Sequence, residues 1–507
     1  MNKGKQLSIN LISQVATFVL NLCISFFLTP YVVEHIGKDV YGFVSLSNNF
    51  VNYVTVFTIA LNGMLNRYIA VEYNRGDYTS TGKYLSSAII ANTAIMLVLL
   101  PVIVLVVGNL ERLINLPVGF EFDIKLLFLL TFLAFVINLP GSCFNVATYT
   151  KNRLDKNNIC NMLTAIVRIA VILASLLIFD PHVWYVGLGA LISTIYSIVV
   201  NIRFKRQLLP EVQISVKAFD WAVVKEIIST GMWSSINQMT QMLLSGLDLL
   251  ITNLFVSVAS MSLLSYAKML PSQLLSLIAT ISGLFAPTMT IAYAQNKKED
   301  FVKETHFALK LCGFLCCVPI IGLVIFGENF FGLWLRTLQP DEVHMVAILA
   351  ILSILPNVFS VYIYPLYSVS TITRKLKVPV LVSAVIGVLN IIIVFILLQT
   401  TDLGVYAVAG VSSILFIFRI ILFVPTYAAH CIGVKYTTFY KPLIRGIVCN
   451  VLLLVVFYLI RSAFYIGNWG KFIVVCAIAA VCGYIIAFFV LFDKEDRRKV
   501  FAKLRRG

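Results

Sequence analysis

Four charged side chains lie deep inside apolar runs, and they are the first candidates for chemistry. Asp248 sits about 21 residues into the run that starts at Ile227, and Lys268 about a third of the way along the next run. Arg168 and Arg419 lie in two others. On insertion scales a charge at mid-bilayer costs at least roughly 2.5–3.5 kcal/mol, so each needs a partner, water or a ligand. Asp248 and Lys268 admit two readings. They form a structural ion pair, or Asp248 takes up and releases a proton, or contacts a cation, during transport. Arg168 and Arg419 suit an anionic ligand, but either could snorkel or bond backbone carbonyls. Three buried bases against one acid lean toward a phosphate or diphosphate, which arginine grips with two parallel hydrogen bonds.

Uncharged polar residues recur around these charges at three- and four-residue steps, which places each series on one helical face. The first series is Asn10, Gln14, Thr17, Asn21 and Ser25. The second is Ser45, Asn48 or Asn49, Asn52, Thr55 and Asn62, ending near Asn66 and Arg67. Asn237, Gln241, Asp248 and Thr252 repeat the design, followed by Ser262, Tyr266, Gln273, Ser276 and Thr280. A polar face in lipid is costly, so these faces are expected to line a wet cavity; hydrogen-bond glue between helices is the alternative. Asn, Ser, Thr and Tyr offer hydrogen bonds without strong charge, which suits a sugar. The five histidines are scattered and the ten cysteines lie mostly in apolar runs, so no metal site, disulfide framework or catalytic triad is expected. No Walker motif, GxGxxG or HExxH occurs in a usable context, so an ATPase or metallohydrolase is not expected and no cofactor or catalytic residue is assigned; because transport moves a substrate without changing its bonds, the protein is not expected to be an enzyme.

The elements that must position these residues are transmembrane helices. Of 507 residues, 60% are hydrophobic and 12% charged, against about a quarter charged in soluble chains. The mean hydropathy is +0.93. Continuous runs of about twenty residues fit an all-α polytopic membrane protein and exclude a β-barrel. The net charge of +16 reflects basic inner loops rather than nucleic-acid binding. Fourteen spans are expected, over 7–33, 41–66, 84–107, 124–149, 158–179, 182–202, 227–255, 261–291, 306–326, 343–369, 378–398, 402–428, 443–460 and 469–491. The first is a span and not a signal peptide. Thirty of the 39 Lys and Arg residues fall in or beside segments on one side and six on the other, which puts both termini in the cytoplasm.

The chain also repeats itself. Asn74-Arg75-Gly76-Asp77 matches Asn296-Lys297-Lys298-Glu299 at an offset of 222, Leu139-Pro140 matches Leu355-Pro356 at 216, and Tyr185 and Gly189 match Tyr406 and Gly410 at 221. The expected organisation is therefore a six-helix lobe with linker over 1–215, a second six-helix lobe over 216–430, and two extra helices over 431–492. A basic cytoplasmic tail covers 493–507 and either anchors the topology or lies on anionic membrane lipids. Parallel six-helix repeats suggest, by analogy, a transporter working by alternating access. Pro30, Pro140, Pro271, Pro356 and Pro365 permit kinks that suit a gate.

Leu28-Thr29-Pro30-Tyr31-Val32-Val33, then Ile36-Gly37-Lys38-Asp39-Val40-Tyr41-Gly42, Arg67-Tyr68-Ile69-Ala70, and Gly404-Val405-Tyr406-Ala407-Val408-Ala409-Gly410 resemble the bacterial polysaccharide transporter family. This family comprises the flippases of lipopolysaccharide O-antigen and capsule repeat units, and its superfamily also holds the multidrug and toxin extrusion exporters. The resemblance implies an inner (cytoplasmic) membrane flippase carrying undecaprenyl-diphosphate-linked oligosaccharide from the cytoplasmic to the outer leaflet. It implies H+ or Na+ coupling, and polysaccharide polymerase and glycosyltransferases as partners. The first span has no charge at depth, so Arg67, Arg168, Lys268 and Arg419 must supply the cationic lining, with Asn21, Asn48, Asn52, Asn237, Gln241 and Tyr266 as further substrate contacts and Asp248 as the coupling candidate. A proton- or sodium-coupled exporter of small organic molecules and a membrane scaffold remain the alternatives.

Overall fold

The computed structural model describes residues 3–493, apart from 296 and 374, together with Arg497. All regular structure among them is helical. Helices follow from the runs of Leu, Ile, Val and Phe, because in hydrocarbon each backbone N–H and C=O must be satisfied within its own segment. Turns carry the start and stop signals. Asp77 accepts a hydrogen bond from Ser80 N at 2.8 Å, Asp220 accepts one from Ala222 N at 2.7 Å, and Gln339 with Glu342 forms a reciprocal capping box. Gly433 closes a helix at φ +73°, a left-handed conformation that favours glycine.

Two compact units are present, Met1–Ser262 and Leu263–Gly507. The first opens with α1 (Lys3–Ile36), α2 (Lys38–Asn74), α3 (Tyr78–Gly108), the short α4 (Leu110–Leu113) and α5 (Glu121–Ser142). It continues with α6 (Val146–Thr150), α7 (Leu154–Ile178), α8 (Trp184–Leu208), α9 (Trp221–Gln241) and α10 (Asp248–Phe255). α5 packs on α8, α8 on α7, and α2 runs along α9. The last contact needs a glycine: a Cβ on Gly231 would lie 1.9 Å from the Ala60 carbonyl oxygen. Close backbone approach through small residues is the usual packing device in a membrane, where burial against lipid gains little.

α11 (Val258–Gly283) leads into the second unit, which holds α12 (Ala286–Ala294), α13 (Lys298–Trp334), α14 (Pro340–Ser360) and α15 (Leu366–Ile372). It ends with α16 (Lys377–Thr400), α17 (Val405–Phe418), α18 (Val424–Ile432), α19 (Tyr440–Ala463) and α20 (Trp469–Leu491). α13 is its centre and packs on α14, α19 and α20. Tyr362, 1% exposed, joins them. Its ring fills the space beside Gly313 and Gly446, where a Cβ would come within 2.5 Å and 2.3 Å of it. Its hydroxyl donates to Asn450 Oδ1 at 2.7 Å.

Among the described residues eleven helices are long and apolar enough to cross a membrane, and twelve if α2, bent by 63° near its middle, counts as one span. The expected spans over 227–255 and 261–291 are helical, as α9 with α10 and α11 with α12, but they fall outside that set. Both are interrupted, and they carry polar stripes that lower their hydropathy. The expected basic tail lies outside the described residues except for Asp493 and Arg497, and Asn296 of the expected repeat is outside them too.

Candidate functional site

Two of the four deep charges sit at breaks in helical hydrogen bonding, one in each unit. In the first, Met242–Gly246 adopts π-helical turns between α9 and α10, and Asp248 opens α10. In the second, Arg419–Phe423 is π-helical between α17 and α18, and Arg419 is its first residue. A π turn displaces carbonyls from their usual donors, so they need others. A tyrosine supplies one in each case. Tyr53 of α2 donates to the Gly246 carbonyl at 2.7 Å. Tyr440 of α19 donates to the Ile421 carbonyl at 2.9 Å. The second break has a cause written in the sequence: Pro425 has no N–H for the carbonyl four residues back, which is that of Ile421.

Asp248 is 2% exposed and lies within electrostatic reach of the Tyr53 phenol. Arg419 is 6% exposed, with its guanidinium 5.5 Å from the centroid of the Tyr367 ring, a cation–π distance. The ring satisfies one face of the guanidinium but takes none of its N–H donors, and Arg419 Nε is buried with no hydrogen-bond partner. A buried donor in that state costs about 1–3 kcal/mol, more when charged. The arrangement is one that an entering anion relieves.

The other expected site residues divide. Arg168 is half-buried on α7, within electrostatic reach of the Tyr41 phenol, whose oxygen is 3.2 Å from Thr29 Oγ1. Arg67, Asn21, Asn48, Asn52 and Asn237 are exposed, while Gln241 and Lys268 are half-buried. Tyr266 is fully buried. Asp248 and Lys268 belong to different units.

The polar stripes are partly glue. Asn10 Oδ1 accepts from Gln6 Nε2 at 2.9 Å and from the Asp155 backbone N–H at 3.0 Å. Gln6 also donates to Asp155 Oδ1, and Asn158 donates to Ser13 Oγ at 2.9 Å. This end of α1 is therefore committed to α7, whereas Asn21 further along is open. Asn62 is likewise committed, exchanging hydrogen bonds with Asn92 of α3 at 2.9 and 3.3 Å. The three tyrosines Tyr53, Tyr367 and Tyr440 were not singled out by the sequence pattern. Pro425 was the available signal for the last of them.

Residues 4–292 match the polysaccharide biosynthesis protein family, more than half of the chain. The chain belongs to this family. A relative within reach of sequence comparison is the "uncharacterized membrane protein EpsK" of Bacillus subtilis (strain 168), 27% identical over 98% of both chains. Among solved structures, the fold is similar to that of the lipid II flippase MurJ in an inward closed conformation. That likeness has a TM-score of 0.67 and 16% identity, over 94% of this chain and 97% of the other. An inward-facing multidrug resistance MATE family transporter of the MOP superfamily aligns with a TM-score of 0.63 and 14% identity, over 84% of this chain and 96% of the other. The fold of this family member is thus the one shared by flippases and exporters.

Proposed function

We propose that the protein is a flippase that moves an undecaprenyl-diphosphate-linked oligosaccharide from the cytoplasmic to the outer leaflet of the bacterial cytoplasmic membrane by alternating access. In this reading the chain crosses fourteen times with both termini in the cytoplasm, and a proton or sodium gradient drives the cycle. Polysaccharide polymerase and glycosyltransferases act on either side of it. Membership of the polysaccharide biosynthesis family supports the glycan. The observation that carries the reading is Arg419, a buried guanidinium with an unsatisfied Nε. A diphosphate supplies both the charge and the acceptors it lacks. The exposed asparagines Asn21, Asn48, Asn52 and Asn237 offer neutral hydrogen bonds to sugar hydroxyls.

The second reading, a cation-coupled exporter of small organic molecules, is favoured by Asp248, a carboxylate buried to 2% exposure. Depletion of the protein in cells separates the two. The flippase reading predicts accumulation of a lipid-diphosphate oligosaccharide that only reagents inside the cell can reach, with unchanged sensitivity to organic cations. Normal surface display of the glycan, with heightened sensitivity to organic cations, selects the exporter.

A further inference from the structure

Away from the π-helical breaks, the second unit has a partly open cavity of about 110 Å³ where α19 begins and α20 ends. Its walls include His306 and Lys310 of α13, Tyr362, Lys441 and Arg445 of α19, and Asp493 just past α20. Among the described residues, three cations therefore face one carboxylate. Asp493 divides itself between two of them: its Oδ2 accepts from Lys310 Nζ at 2.7 Å, and its Oδ1 accepts from Arg445 Nη1. Lys441 is exposed and makes no ion pair among the described residues. His306 Nε2 is buried with no hydrogen-bond partner. Among the described residues, Lys441 thus carries a charge that no carboxylate takes, and His306 Nε2 has a hydrogen-bonding position left unused.

Size and surroundings narrow the ligand. A bound water needs about 10–15 Å³, so a cavity of about 110 Å³ has room for a phosphate-sized group. The outer faces of the same helices carry large exposed apolar side chains next to the cavity. Phe307 follows His306, Ile444 and Val448 flank Arg445, and Phe489 lies one turn before Asp493 (45%, 59%, 50% and 56% exposed). A ligand with a phosphate in the cavity and acyl chains along this belt satisfies both. Basic pockets between transmembrane helices on the cytoplasmic side are built for such headgroups.

We propose that this cavity binds the phosphate of an anionic phospholipid, which competes with the Asp493 carboxylate for Lys310 and Arg445 and gains Lys441 as a third contact. The assignment to the cytoplasmic leaflet rests on the orientation proposed above; the phosphate site itself does not. Binding exchanges the intramolecular ion pairs of Asp493 with Lys310 and Arg445 for intermolecular ones, so the lipid loosens the hold of Lys310 and Arg445 on the segment that follows α20.

Native mass spectrometry of the full-length protein, released from vesicles of phosphatidylcholine with or without phosphatidylglycerol, reads the site directly. Retention of phosphatidylglycerol over phosphatidylcholine is expected, falling several-fold in Lys441→Gln, a variant whose melting in phosphatidylcholine alone is unchanged because Lys441 has no ion pair to lose. Asp493→Asn is expected to retain more phosphatidylglycerol, because the competing carboxylate is gone, and to recover with it the stability lost in phosphatidylcholine. Equal retention in all three proteins, or weaker retention in Asp493→Asn, overturns the proposal. Inorganic phosphate in phosphatidylcholine vesicles is the second arm. Stabilisation by millimolar phosphate without any preference for phosphatidylglycerol overturns the lipid source. Because no glycan transport is read, failure here leaves the flippase reading standing, and failure of glycan transport leaves this site standing.

Discussion

At the scale of single residues, the deciding group is a buried charge with a donor left over. Arg419 has an aromatic face against it but an unpartnered Nε. Replacing it with Gln removes the charge and the paired N–H donors. The expected result is a rise in the KM for lipid-diphosphate glycan of about tenfold or more, from the roughly 1.5–3 kcal/mol of a charged hydrogen bond. Arg419→Lys keeps the charge but not the fork and is expected to recover only part of the loss; initial rates against substrate concentration, at matched protein abundance, measure both. Asp248→Asn is expected to lower transport more than it lowers protein level. Full transport at normal abundance removes Asp248 from coupling, and loss of the protein assigns it a structural role. Asp493 gives a pH prediction. Its hydrogen bonds from Lys310 and Arg445 hold its carboxyl down at about 2, below the ordinary value near 3.9. A depressed carboxyl contributes its stabilisation in full above the ordinary value and loses it as pH falls from about 4 through about 2. Melting of the wild type in detergent should therefore drop across that window, and Asp493→Asn should lack that part of the drop.

At the scale of elements, the two π-helical breaks and the close helix contacts decide which changes are tolerated. Tyr440→Phe leaves the Ile421 carbonyl without the hydroxyl that Pro425 makes necessary. It is expected to cost about 1 kcal/mol, seen as a lower melting temperature with the α17–α18 break most affected in hydrogen exchange. Gly231→Ala puts a Cβ against the Ala60 carbonyl and is expected to destabilise by about 1–3 kcal/mol, as overpacking does. Gly410→Ala, inside α17 with open space around it, is the unhindered control in the same melting experiment, expected to raise stability by about 0.5–1 kcal/mol. The sequence made the helices legible, because periodic polarity and apolar runs are local properties. It also made legible the identities of the deep charges, since cost in lipid depends on residue type. The breaks were not legible. At the π turn over Met242–Gly246 the Gly246 carbonyl is met by a tyrosine 193 residues earlier, and only Pro425 announced the other one locally. The split of the α1 stripe into a committed end, Gln6 to Asn10, and an open part at Asn21 depends on where α7 lies, which spacing along α1 cannot reveal.

At the scale of the whole molecule, composition and charge asymmetry specified a helical membrane protein, and the family match and the MurJ-like fold agree with that class. The number of crossings was less legible, because polar residues lower the mean hydropathy of a helix whether or not it spans. The polar faces that make 227–255 and 261–291 interesting are the ones that remove them from the eleven or twelve clear spans among the described residues. Fold alone does not separate a flippase from an exporter, since both share it. The measurement that does so most directly is leaflet translocation in reconstituted vesicles, using a short-chain lipid-diphosphate oligosaccharide with and without an imposed proton or sodium gradient. The account predicts gradient-stimulated movement of the glycolipid across the bilayer, reduced in Arg419→Gln. No movement of any lipid-linked sugar, alongside gradient-driven uptake of a small organic cation, would contradict it.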